Sequence, residues 1–247
     1  MNKNHKANKY ESRGRGAKAS VARFVYAAAM AILSSAALTA CHSDGYDSGD
    51  GNYSYLTAQL ATLHTNAQKA VTEATLDDGT KLQIGNPFTT NWATTPDSTY
   101  RALLYYDHND DTSVAVRARS VTEVPVLPVM PVAANSSVRT DPIGLESAWM
   151  SRNGEYLNIS LLCKAGSTSG DEAMQTVGMV CDSISTAANG LRTIHLRLYH
   201  DQGNVPEYYT VQRYVSVKRR SLYGADSVSL TVNTYKGKVV KQIAVAQ

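Results

Sequence analysis

The chain has 247 residues and a mass of 26.7 kDa; 43% of its residues are hydrophobic and 18% charged, which is apolar material for one large domain or two small ones. A single apolar run near the start and three cysteines exclude a multi-span membrane protein and a disulfide-dense miniprotein, and the composition excludes a disordered tail. The formal charge of +3 belongs to the first 40 residues, where Lys3, Lys6, Lys9, Arg13, Arg15, Lys18 and Arg23 stand against Glu11; the remainder carries 17 basic and 20 acidic residues, a net −3, so the inference from a basic chain to nucleic acid fails.

After Arg23 the run Phe24 to Ala37 is charge-free, alanine-rich and too short for a comfortable membrane span, so with the basic segment before it residues 1–40 read as a secretory signal. The run ends in Leu38-Thr39-Ala40-Cys41, which resembles the lipobox of bacterial lipoproteins: Cys41 would be acylated and become the N-terminus. Several acyl chains on one cysteine hold a protein on a membrane without crossing it. Because the acidic stretch just after Cys41 resembles a surface-export signal of lipoproteins, the expected address is the outer membrane, lipid-anchored and facing the exterior, with the periplasmic face as alternative. Residues 41–52, rich in glycine, serine and aspartate, read as a flexible acidic tether.

From Tyr53 onward no sustained 3.6-residue period occurs, and short alternating runs broken by glycine and asparagine predict an all-β chain. Five strands are expected at Tyr53–Thr65, Lys69–Asp77, Thr80–Ile84, Tyr100–Tyr106 and Ser113–Val121, with a tight hairpin at Asp77-Asp78-Gly79-Thr80. Five short strands and one long connection holding Trp92 suit a small closed barrel of OB type over 53–122. Pro125, Pro128 and Pro131 then recur every third residue in a valine-rich run, as in a polyproline II strut; because the run is apolar, this linker (123–140) should lie against a domain or in the crease between two. Over 141–247 strands are expected at Glu155–Lys164, Met174–Asp182, Thr193–His200, Tyr208–Lys218, Ser227–Tyr235 and Lys238–Val245. In the first of these Leu157, Ile159, Leu161 and Cys163 share one face, and in the second Val177, Met179 and Cys181 do; one dry and one wet face indicate a β-sandwich.

Chemistry-bearing clusters are few. Asp107-His108-Asn109-Asp110-Asp111 lacks the ligand alternation of a calcium loop and reads as a turn, so no metal and no cofactor are expected. His195 and His200 point to opposite faces of a strand, and no nucleophile completes a triad. Cys163 and Cys181 lie on the dry faces of successive strands; a bridge between them would close 18 residues and contribute ~3 kcal/mol, while two buried free thiols are the equal alternative. Trp92, Tyr100, Tyr105, Tyr106, Tyr208 and Tyr209 are candidate binding aromatics, although sheets favour tyrosine in any case.

Thr75 to Leu82, the Tyr100 to Tyr106 strand, Asp141-Pro142-Ile143, Trp149, Gly154 to Ile159, Leu196 to Asp201 and Tyr214 to Val217 together resemble the NigD-like lipoproteins. The resemblance implies a lipobox leader, an OB-like N-terminal domain and a C-terminal β-sandwich. It supplies no catalytic residue to transfer, and the valine- and proline-rich linker and long basic leader depart from the pattern. The expected function is therefore a non-enzymatic envelope module that binds a protein or a glycan, not nucleic acid. The alternatives are an immunity-type envelope protein, which the family's bacteriocin-associated name suggests, and a hydrolase with a site at the domain crease.

Overall fold

Alternation of apolar and polar residues dominates the chain, and the computed structural model, which describes residues 56–107, 115–131, 137–167 and 173–245, is built of strands with one short 3-10 turn. The leader, Cys41, the acidic tether, the His108 to Asp111 part of the acidic cluster and Val132 at the end of the valine-proline run lie outside the described residues. Residues Tyr55–Gln247 form one compact unit.

The first five strands are β1 (Leu56–Thr65), β2 (Val71–Leu76), β3 (Lys81–Phe88), β4 (Thr99–Asp107) and β5 (Ala118–Glu123), hydrogen-bonded in the order β3-β2-β1-β4-β5. Gly79, at φ +93°, makes the β2–β3 hairpin: its N–H donates to the Leu76 carbonyl at 2.9 Å, and the Thr80 N–H donates to Asp78 Oδ1 at 2.8 Å. The sheet curls until the segment before β5 meets β3. There Val116 bridges Ile84: its N–H donates to the Gln83 carbonyl and its carbonyl accepts the Gly85 N–H, both at 2.9 Å. The ring order β1-β2-β3-β5-β4 is that of an OB barrel, but closure rests on this one bridge and on Asn86 clasping the Ala118 backbone, so the barrel is partly open where the sequence suggested a closed one. Leu63, Ala74, Leu82, Ile84, Leu104 and Tyr106 fill it.

The remaining strands are β6 (Val129–Pro131), β7 (Gly144–Met150), β8 (Tyr156–Ala165), β9 (Thr176–Thr186), β10 (Arg192–Asp201), β11 (Tyr209–Lys218), β12 (Ser227–Thr234) and β13 (Gly237–Ala244). They form two sheets, β13-β12-β10-β9-β6 and β11-β8-β7, whose inner faces meet in one core. Leu157, Ile159, Leu161 and Cys163 of β8 face Ile194, Leu196 and Leu198 of β10 and Met179 of β9, as period-two alternation requires. Gly144 lets β7 approach β8, because a Cβ there would sit 2.7 Å from Leu162 Cβ.

The proline-rich segment is not a separate strut. The Leu127 N–H donates to the Ser216 carbonyl at 2.8 Å and the Ser216 N–H to the Pro125 carbonyl at 2.9 Å, after which Val129–Pro131 adds a parallel edge strand to β9. Val124, Leu127 and Val129 are buried while Pro125, Pro128 and Pro131 face outward, and an edge is where a strand tolerates residues without an N–H.

The expected wet face of β8 is also dry. Tyr156, Asn158 and Ser160 are 8%, 0% and 1% exposed because the barrel covers them. The cover is polar. Arg101 of β4, 4% exposed, sets Nη2 2.6 Å from Asp77 Oδ1, donates to Asn158 Oδ1 at 3.1 Å and lies 4.3 Å over the Tyr156 ring. Asn158 donates to Asp77 Oδ2 at 2.7 Å, the Ser216 hydroxyl donates to Asn158 Oδ1 at 2.8 Å, and the Asn153 N–H donates to the Asp77 carbonyl at 2.7 Å. Asp77→Ala should therefore cost about 3–5 kcal/mol in urea unfolding, since it strands a buried guanidinium, and Asp77→Leu combined with Arg101→Met should recover much of the loss. A cost below about 1 kcal/mol would show the pair to be solvated rather than structural.

Candidate functional site

The barrel and sandwich meet along a crease whose middle is closed by the Arg101–Asp77 network, and three openings flank it. The largest, about 980 Å3, lies between the β4–β5 surface and β11, with Trp92, Tyr105, Val121, Tyr209 and Tyr214 in its walls. A second, about 570 Å3, holds Asp78, Trp149, Arg152 and again Tyr214; Leu103 is common to both. A third, about 430 Å3, holds Tyr100, Lys218 and Arg220, and shares Trp92, Glu123, Val124 and Leu127 with the first. The shared walls make one furrow. Each opening has the size of a ligand site in general; the largest is lined mainly by apolar and aromatic residues, and the charged side chains gather in the two smaller ones, Asp77, Asp78 and Arg152 in the second and Arg101, Glu123, Lys218 and Arg220 in the third.

The candidate aromatics divide. Trp92, Tyr105 and Tyr209 line the largest opening, and Tyr100 stands edge-to-face with Trp92, ring centroids 5.9 Å apart and planes at 72°. The Tyr100 phenolic oxygen accepts the Thr95 N–H at 2.7 Å, which ties down the loop carrying Trp92; hydrogen bonding to Thr95 also holds its pKa below the usual phenol value. Tyr106 has no face to offer a ligand: it is 5% exposed in the barrel core, its hydroxyl donates to Gln59 Oε1 at 3.0 Å, and burial followed by the Asp78 charge pushes its pKa up. Tyr208 is 69% exposed and lines none of the three openings. Two aromatics are additional to the expected set. Tyr214 lies in both larger openings and packs edge-to-face on Trp149 at 6.5 Å, and its hydroxyl accepts from Gln212 Nε2 at 3.0 Å.

The cysteine bridge is not formed. Cys163 and Cys181 are free because β8 and β9, successive in sequence, belong to opposite sheets: Cys163 pairs with Val211 of β11 and Cys181 with Leu196 of β10. Burial pushes the Cys163 thiol pKa up, and burial with the Asp182 charge does the same for Cys181. In unreduced, denatured protein both should alkylate as separate peptides, with Cys163 inert in the native state; a single disulfide-linked peptide in mass spectra would contradict this.

His200 and His195 do face opposite ways. His200 is 1% exposed with Nδ1 2.9 Å from the Asp141 carbonyl, so it fastens the 139–141 segment to β10. His195 Nε2 lies 2.9 Å from Ser185 Oγ on the exposed end of β9 and β10, outside the furrow. Asp107, the described member of the acidic cluster, accepts from Arg119 Nε at 2.7 Å, and this partner lowers its carboxyl pKa. Among the described residues no group of three or more His, Cys, Asp and Glu side chains could hold a metal ion.

A partly open five-stranded barrel followed by a two-sheet sandwich, with a furrow where they meet, defines an all-β protein of two parts. Residues 125–245 match the NigD-like C-terminal beta sandwich domain, and the chain belongs to the NigD-like family. Among solved structures it is similar to a NigD-like immunity protein from Bacteroides caccae, with TM-score 0.56 and 20% identity over 75% of this chain and 90% of that one. It is likewise similar to a candidate toxin-related protein from Parabacteroides distasonis, with TM-score 0.54 and 21% identity over 76% and 91%. A candidate lipoprotein from Bacteroides fragilis shares the fold with TM-score 0.55 and 13% identity over 77% and 99%. At these identities the likeness establishes the fold. No curated protein matches the chain.

Proposed function

We propose that the protein is an outer-membrane lipoprotein, anchored through Cys41, that binds a glycan or protein ligand in the crease without catalysing a reaction. The observation that carries this reading is the furrow itself: Trp92, Tyr105, Tyr209 and Tyr214 stand in one groove on walls that a buried polar network holds in place. Tyrosine and tryptophan give amphipathic contact area at low entropy cost, which suits recognition. Anchoring adds to it, because a tethered binder raises the local concentration of its ligand's partners and makes weak affinities useful. The similarity to a candidate lipoprotein supports the anchor. An immunity role is the second reading, favoured by the similarity to a NigD-like immunity protein and to a candidate toxin-related protein.

Metabolic labelling with a clickable palmitate analogue should mark the wild type and not Cys41→Ser; equal labelling of both would end the anchor reading. Detergent-solubilised full chain should retain a surface component that the Tyr105→Ala/Tyr209→Ala variant releases, with a loss of about tenfold or more in affinity for removing two aromatic contacts. Retention unchanged by the double variant would remove the furrow from consideration, and a chain untouched by protease shaving of intact cells would refute the exterior location.

A further inference from the structure

Of the three openings, only the one beside Tyr100 pairs an aromatic platform with two cations that have no ion-pair partner among the described residues. Lys218 ends β11, and Arg220 sits on the 3-10 turn Arg219–Leu222 that follows it. Both line the 430 Å3 opening with Trp92, Tyr100, Glu123 and Ser221, and the described ion pairs involve Arg101, Arg119, Arg139 and Arg197 instead. The third cationic side chain of the lining, Arg101, is taken up by Asp77, Asn158 and the Tyr156 ring and has nothing left for a ligand.

We propose that this opening is a subsite for an acidic saccharide, a sugar unit bearing a carboxylate or sulfate. The assignment rests on the reading of the furrow as a ligand groove and names the chemistry at one end of it. Lys218 and Arg220 take the anionic group. Trp92, held edge-on by Tyr100, which is itself tied to the Thr95 N–H, offers its ring to the C–H face of the sugar. Glu123 and Ser221 are placed to bond hydroxyls, one as acceptor and the other as either partner. A volume of 430 Å3 admits one or two sugar units and continues into the larger opening through Trp92 and Glu123, so a longer oligomer would run along the crease. Nucleic acid fits poorly. Its binders neutralise many phosphates, commonly about 6–10, whereas two cations share this opening with a carboxylate. Exposed ion pairs are weak singly, roughly fivefold at most each, so selectivity for acid over neutral sugar comes from the two cations together.

Calorimetry on detergent-solubilised full chain with an oligogalacturonate, a sulfated galactan oligomer and a neutral galactan oligomer of equal length tests this, the first two separating carboxylate from sulfate. Lys218→Gln/Arg220→Gln should lower affinity for the preferred acidic oligomer about tenfold and leave the neutral one unchanged, and about 1 M salt should mimic the variant. Trp92→Ala should weaken acidic and neutral oligomers alike, with Trp92→Phe restoring part of it and guarding against a folding defect. Equal binding of acidic and neutral oligomers, indifference to the double variant, or no saccharide bound at all would overturn the subsite. The furrow reading is judged separately, since it falls only if Tyr105→Ala/Tyr209→Ala retains every ligand the wild type retains.

Discussion

Arg101 lies with its side chain 1% exposed and its guanidinium 2.6 Å from Asp77, in a place where the barrel's β4 meets the sandwich's β8 and β11. A charge that deep is tolerated only with its donors answered, and Asp77, Asn158, Ser216 and the Tyr156 ring together answer them. The consequence is geometric. An apolar contact would let the barrel slide on the sheet at little cost, whereas hydrogen bonds at fixed angles admit one register between the two parts. Every wall of the furrow inherits its position from that register, because β4 and β5 bring Leu103, Tyr105 and Val121 while β11 brings Tyr209 and Tyr214.

The chain route reinforces the same junction. Val124 donates its N–H to the Arg101 carbonyl at 3.0 Å, and three residues later Leu127 bonds to Ser216, whose side chain belongs to the network. A single run of backbone thus passes from the barrel's edge to the sandwich's edge without a free span. Its outward prolines remove donors that would otherwise face water or invite another strand, while Leu127 and Val129 join the sandwich core and Val124 and Leu127 line the furrow.

Period-two alternation makes most of this fold legible in sequence: the inward faces of β8 and β10, the Gly79 hairpin and the β12–β13 pair follow from residue order alone. β7 escapes because a register shift between Leu145 and Ser147 breaks the period, leaving Ala148 as its one buried apolar residue. β6 escapes because prolines at every third position read as polyproline, while the backbone pairing to β9 depends on a strand distant in sequence. The crease is half legible. Arg101-Ala102-Leu103-Leu104-Tyr105-Tyr106 is apolar on both faces after its first residue, the mark of a strand covered twice, and the same alternation sends Tyr105 outward to the furrow and Tyr106 inward with Ala102 and Leu104. Which strand supplies the second cover is a long-range matter: Arg101 and Asn158 are 57 positions apart, and their pairing has no local signature.

The cysteines illustrate the same boundary. Both alternation patterns are right, since Cys163 is buried on the inner face of β8 and Cys181 packs against the same core from β9. Successive strands in a sequence pair more often than not, and that habit makes a bridge plausible; a sandwich breaks the habit by moving the chain to the opposite sheet, where two inner faces stand roughly 10 Å apart rather than at the separation of ladder neighbours. The same switch of sheets frees β11 to remain an edge strand, paired to β8 on one side and, among the described residues, bridged on the other only at Ser216. Its stretch from Tyr209 to Tyr214, paired to β8 on one edge, therefore becomes a furrow wall rather than the middle of a sheet. A groove made in this way is preorganised, so under the proposed binding role a ligand entering it would not spend binding energy on closing two domains, and its affinity would be set by the aromatic and charged contacts already in place.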